Sequence, residues 1–402
     1  MLDNELIAAK RSVDDLAVFG GSPIFARPRS TSNLVRPNFD SFLEYSRLFF
    51  NEHRYTNGGP AVQLLEKRLA DFHGVKHCVA LANGFWTLVI AMRCLALPGR
   101  REVIMPSLTY RRLADVTAWA GFTPRFCEVD EHSLAISPDS AAACINSDTA
   151  LLMGVHPIVN CCDVHGLEDV SERSGIPLLF DTVESNYETY LGVRVGGFGK
   201  AECFSLHASK LLNGFEGGYL TTNDDELAER VGYMRGFGFK GQDTVIDLGN
   251  NAKLNEVHAS MALAALDDLP DQVRRNESRY RCYQRLLADI PELRLLEFDE
   301  REETSFKNIV VELRDSWPIT RAATLRILNS EGVFARAYYA PALHQKKTSY
   351  ETRFGDLSLT DKLVERFLNL PCGELVSLND IEHTVLLLKF IRDHADAVGA
   401  RI

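Results

Sequence analysis

Between residues 77 and 222 the chain repeatedly offers a short apolar segment, a turn, and then helical spacing. The segments are HCVALAN, EVIMP, RFCEVD, ALLMGVHP, IPLLFD, ECFSL and GGYLTTN. Helices lie between some of them. Val62, Leu65, Leu69 and Phe72 share one helical face over Pro60 to Phe72, and Leu88, Ala91, Met92 and Leu95 share another after Asn83-Gly84. A third helix is predicted over roughly Leu167 to Ser174. Short apolar strands alternating with helices predict an α/β fold, a mostly parallel sheet covered on both faces. Such sheets bind ligands beyond the carboxyl ends of their strands, so functional residues belong just after each apolar segment.

With 402 residues the chain has room for two domains. After Gln272 the texture changes. A long charged helix, DLPDQVRRNESRYRCYQRLLADI, leads to the strand FKNIVVEL, a helix near Arg321–Glu331, the strand VFARAYY and a terminal helix from Asn379. This predicts a large domain over 1–270, with an extended lead-in over 1–35, and a smaller α+β domain over 271–402. The net charge of −11 argues against non-specific nucleic-acid binding, which needs a basic footprint. Nine cysteines without a CxxC argue against a zinc ribbon and suit a reducing compartment; no metal site is expected. No 18-residue apolar run appears, and MLDNELIAAKRSVDDLAVFGG lacks a signal-peptide core. The expectation is a cytoplasmic protein that does not engage a membrane.

Four strand ends carry residues with chemistry. Asp181 follows IPLLF; it reads as a helix cap or as a buried carboxylate facing a cationic ligand atom. SLHASK puts Ser205, His207 and Lys210 on one turn ahead of the glycine-bearing loop NGFEGG. Lys210 reads as a solvated lysine or as a buried amine whose lowered pKa makes it a nucleophile. Asn83-Gly84 is a turn or a phosphate cradle at a helix N-terminus. Tyr110 is a core aromatic or a plate for a flat ring. Together they supply what pyridoxal phosphate needs: an amine, an acid for the ring nitrogen, phosphate donors and a stacking face.

At these residues the sequence resembles the DegT/DnrJ/EryC1/StrS family of sugar aminotransferases. The matching stretches include TNGGPAVQLLEKRLADFHGVKHCVALANG, EVIMPSLTY, GFTPRFCEVD, IPLLFDTVES, FSLHASKLLNGFEGGYLTTND, GNNAKLNEVHASMAL and LNLPCGEL, in the family's order over about residues 20 to 375. Within it the chain is most similar to enzymes that aminate C4 of dTDP-4-keto-6-deoxyglucose. The resemblance implies the pyridoxal-phosphate transferase fold type I, with a seven-stranded sheet. It implies that Lys210 bonds the cofactor and shuttles protons, that Asp181 pairs with the pyridine nitrogen, and that Tyr110 and Val183 cover the ring faces. Ser205 and the backbone at Gly84 and Phe85 would hold the phosphate, and Glu184 would stand beside the phenolic oxygen. Asn251 would reach the phosphate of a neighbouring subunit, implying a homodimer with shared sites. Lys253 and His344 would lie near the substrate. Glutamate or glutamine would be the amino donor, and a keto-sugar or another ketone such as a cyclitol the acceptor. A diverged, non-catalytic member is the reading from a different class.

Four positions depart from the family pattern. Phe85-Trp86 stand where a threonine and small residues are usual, so Trp86 is placed at the substrate pocket. Arg111-Arg112 follow Tyr110 where small residues are usual; they read an acidic substrate group or face solvent. Glu184 replaces Gln or His, and a carboxylate beside a phenolate is repulsive unless one is protonated. The run from Val155 through His156 to Val159 and Asn160 lacks the family's aromatic-Gly pair at the substrate border.

Overall fold

A computed structural model describes residues 10–402; the start of the lead-in lies outside the described residues. The seven apolar segments form β1 (His77–Leu81), β2 (Glu102–Pro106), β3 (Thr123–Cys127), β4 (Thr149–Val155), β5 (Leu178–Asp181), β6 (Ala201–Ser205) and β7 (Gly218–Thr222). They lie in one sheet in the order β3-β2-β4-β5-β6-β7-β1. All neighbours are parallel except β7, which runs antiparallel to both β6 and β1. Helices on both faces bury every residue of β4, which is why it reads as an unbroken apolar run.

The sheet holds eight strands rather than the seven expected. Arg353–Phe354 adds a parallel edge strand beside β3. Two exposed residues carry no apolar run, so this strand has no sequence signature.

The helix Leu269–Leu287 leads from this sheet to a second, antiparallel one in which Leu293–Leu295, Ile309–Leu313, Phe367–Leu370 and Arg336–Ala337 are neighbours in that order. VFARAYY is not one strand. It breaks at Ala335 into Val333–Phe334 and Arg336–Ala337, which pair with different partners. The lead-in, grouped above with the first domain, is fastened to this second unit. Arg29–Ser30 pairs with Val333–Phe334, and the Glu331 carboxylate accepts from the N–H groups of Ala17 at 2.7 Å and Ile24 at 2.9 Å. Lys10 adds an ion pair to Glu331 at 2.9 Å, and Arg29 pairs with Asp380 at the same distance. These contacts arise between residues hundreds of positions apart, which local pattern does not report.

Candidate active site

The carboxyl ends of β5 and β6 and the loops after β1 and β2 open into a cleft of about 1190 Å³, closed on its far side by the second unit. That is somewhat above the roughly 300–1,000 Å³ usual for small-molecule sites. Gly84, Phe85, Tyr110, Arg111, Asp181, Val183, Glu184, Ser205 and Lys210 all line it.

The phosphate end is built from a helix start. Asn83 caps the helix Gly84–Leu95, its Oδ1 accepting from the Trp86 N–H at 2.9 Å. The backbone there comes so close to β6 that a Cβ at Gly84 would sit 3.1 Å from the Ser205 Cβ. Glycine at 84 thus brings the helix N-terminus and the Ser205 hydroxyl to one place, a seat for an anion.

Asp181 ends β5 with 2% exposure. Its Oδ1 accepts from the Val183 N–H at 3.2 Å, and no ion pair reaches it among the described residues. Burial pushes its carboxyl up to about 6. A buried acid in want of a cation fits a protonated pyridine nitrogen.

Lys210 stands in the turn after β6, its N–H donating to the His207 carbonyl at 2.8 Å. Its Nζ is ion-paired with Glu184, whose other carboxylate oxygen takes Lys307. Burial pushes Glu184 up, but the two lysines outweigh it and hold the carboxyl at about 2. Sequence reasoning missed Lys307. It precedes the strand Ile309–Leu313 in FKNIVVEL and is 4% exposed, and nothing in the sequence around it signals that it meets Glu184. Arg336, also missed, lines the cleft with its chain exposed. With Arg111 and Arg112 it makes three arginines that line the cleft, of which Arg112 is paired with Asp115 at 3.2 Å.

The amine, the unpaired acid, the anion seat and the flanking Tyr110 and Val183 fit pyridoxal phosphate. Three residues expected at the substrate, Trp86, Lys253 and His344, do not line this cleft. Trp86 packs edge-on against Trp119, ring centroids 4.8 Å apart, and so joins two helices rather than lining the cleft. Lys253 rests over the Phe237 ring at 4.6 Å, and Asn251 is exposed; neither lines the cleft of its own chain. His344 sits behind the cleft, between Ser107 at 2.7 Å and Asp361 at 3.0 Å. Val159 is buried at 6% exposure, and Ile158 borders the cleft instead.

Comparison with known proteins gives the same direction. The DegT/DnrJ/EryC1/StrS aminotransferase family model matches residues 40–389. A dTDP-4-amino-4,6-dideoxy-D-glucose transaminase of Shigella dysenteriae is 24% identical over 357 residues, 89% of this chain and 97% of that protein. An L-glutamine:2-deoxy-scyllo-inosose aminotransferase of Streptomyces fradiae is 29% identical over 296 residues, 69% of each. The crystal structure of DesI with its TDP-sugar product superposes with a TM-score of 0.91 at 31% identity, covering 97% of this chain and 99% of that one. The chain belongs to the DegT/DnrJ/EryC1/StrS aminotransferase family and is a pyridoxal-phosphate-dependent aminotransferase.

Proposed function

We propose that the chain transfers an amino group from glutamate or glutamine to a nucleotide-linked 4-keto-6-deoxyhexose. The observation that carries this reading is the charge layout of one cleft: Lys210 and Asp181 among the ends of the strands, and Arg111, Arg112 and Arg336 also lining it. In a chain of net charge −11, Arg111 and Arg336, which make no ion pair among the described residues, are local positive charge suited to an anionic diphosphate, although Asp115, paired with Arg112, and Glu216 also line the cleft.

Pyridoxal phosphate, when bound, supplies an aldehyde that condenses with amines and a ring that accepts the electron pair left on a substrate carbon. The chain does the rest. Lys210 Nζ takes the proton from the donor's α-carbon, and in the second half-reaction gives one to the former ketone carbon. Asp181 holds a proton on the ring nitrogen, fixed there without reorganisation. The N–H groups at Gly84 and Phe85 and the Ser205 hydroxyl hold the phosphate, while Tyr110 and Val183 fix the ring plane. Arg111, Arg112 and Arg336 bind the anionic part of the ketone.

The protein works as a homodimer in this reading. The helices Phe39–Glu52 and Glu256–Asp267 pack together and leave Phe39 at 66%, Phe50 at 61% and Val257 at 46% exposed. These exposed apolar side chains support an interface on this face. Asn251 and Lys253, close before Val257 in the chain, would then serve the partner's cleft. Among the described residues all nine cysteines are free thiols, which suits the cytoplasm, and no helix is long and apolar enough to cross a membrane.

The test is a screen of ketones with glutamate or glutamine, followed by appearance of the donor's keto acid. Turnover with a nucleotide-linked 4-keto sugar is the expected result. Turnover confined to neutral cyclitol ketones would contradict it.

A further inference from the structure

Glu184 bridges two amines, one oxygen to each: Oε1 to Lys210 and Oε2 to Lys307. The three residues come from separate parts of the fold. Glu184 follows β5, Lys210 follows β6, and Lys307 precedes the strand Ile309–Leu313 of the second sheet. All are largely withdrawn from water, with side-chain exposures of 20%, 13% and 5%. Asp181, Glu188, Tyr338, Tyr339 and Cys372 are among the other ionisable groups around them. Glu188 is already engaged, accepting from the Ser305 hydroxyl at 2.5 Å and the Tyr187 N–H at 3.0 Å.

A lysine attacks a carbonyl only as the neutral amine. A carboxylate paired with that lysine alone opposes the change, because it would be left buried without a cation. Lys307 removes this obstacle. While Lys210 is charged, two cations share one carboxylate. When Lys210 is neutral, Glu184 and Lys307 remain as a balanced pair. We propose that Lys307 is a positioning residue for Lys210: it keeps Glu184 charged and in place while Lys210 gives up its proton to bond the cofactor. It also answers the repulsion expected between Glu184 and an anionic cofactor oxygen, since the pair as a whole carries no net charge. This inference rests on Lys210 being the cofactor lysine.

The test titrates apoprotein with pyridoxal phosphate and follows the visible absorbance of the bound cofactor, with circular dichroism confirming the fold. Lys307→Met weakens binding by more than about tenfold, because it strands the Glu184 carboxylate. Adding Glu184→Gln in the same chain removes that charge and restores binding to within about threefold of the parent, a coupling that lost packing would not produce. Lys307→Arg binds better than Lys307→Met. Parent-like binding by Lys307→Met, or a double variant that binds no better than it, overturns the proposal. Should Lys307→Met not fold, the double variant must still fold and bind; its failure overturns the proposal equally. Lys210→Ala is the separate control. If it keeps the absorbance of covalently held cofactor, the reading of the site has failed, whatever Lys307 does.

Discussion

Ser107, just past the end of β2, meets His344, in the short turn Leu343–Gln345 that leads back to the edge strand Arg353–Phe354, with Oγ of the first 2.7 Å from Nδ1 of the second. The contact is reinforced on both sides. The Leu343 N–H donates to the Ser107 carbonyl at 3.0 Å, and His344 Nε2 lies 3.0 Å from Asp361. Ser107 stands three residues before Tyr110, so this latch sets the loop that carries the ring-covering aromatic. His344→Ala therefore lowers stability by about 1–2 kcal/mol, the usual size for a lost buried hydrogen bond, and weakens cofactor binding. Urea unfolding and a cofactor titration check this. Unchanged stability with a raised KM for the ketone alone would instead place His344 against the substrate.

Asp181 gives the apoprotein a pH signature. Burial raises its carboxyl from 3.8 to about 6, so the fold retains a proton there that the unfolded chain has already released. Its contribution to stability falls as pH rises through that window. Relative to Asp181→Asn, the parent apoprotein loses on the order of 2–3 kcal/mol between about pH 4 and 7. Other shifted groups, such as His156 and Glu202, are present in both proteins and cancel in the difference. Paired urea unfolding at the two ends of the range reads it, and parallel curves would refute it.

Arg111 and Arg336 are exposed, line the cleft, and make no ion pair among the described residues. Arg111→Ser and Arg336→Ser should each raise KM for an anionic ketone by about tenfold, with kcat and cofactor binding nearly unchanged. The effect shrinks at high salt. Steady-state kinetics at two ionic strengths separates this from a general loss of activity.

Trp86 belongs to an aromatic cluster with Phe85 at 5.4 Å and Trp119 at 4.8 Å, both near perpendicular. Trp86→Ala costs about 1–2 kcal/mol, less than a fully buried tryptophan because its ring is partly exposed. Its effect on KM for the ketone is small, and a large one with intact stability would return Trp86 to the substrate pocket.

Much of this was legible in the chain. Asp181, Ser205 and Lys210 stand at strand ends because the apolar runs that define β5 and β6 stop just before or at them, and a parallel sheet brings such ends together. Tyr110 and Gly84 followed by the same logic. His344 and Trp86 were misplaced for a shared reason: sequence position put both near the site, while side-chain direction is decided by partners such as Asp361 and Trp119 that only the folded chain supplies. Lys307 was invisible because its meaning depends on Glu184, 123 positions away. The edge strand Arg353–Phe354 and the parallel pairing of Arg29–Ser30 were hidden because two residues hold no periodicity.

The central claim is that Lys210 is the lysine that bonds the cofactor, in a cleft where a second buried lysine stands close by. Borohydride reduction of the holoenzyme, followed by proteolysis and peptide mass mapping, tests it directly. The account predicts the reduced pyridoxyl group on Lys210 and its absence from Lys307. A label on Lys307 or on any other lysine, or no label in a protein that binds the cofactor, would contradict it.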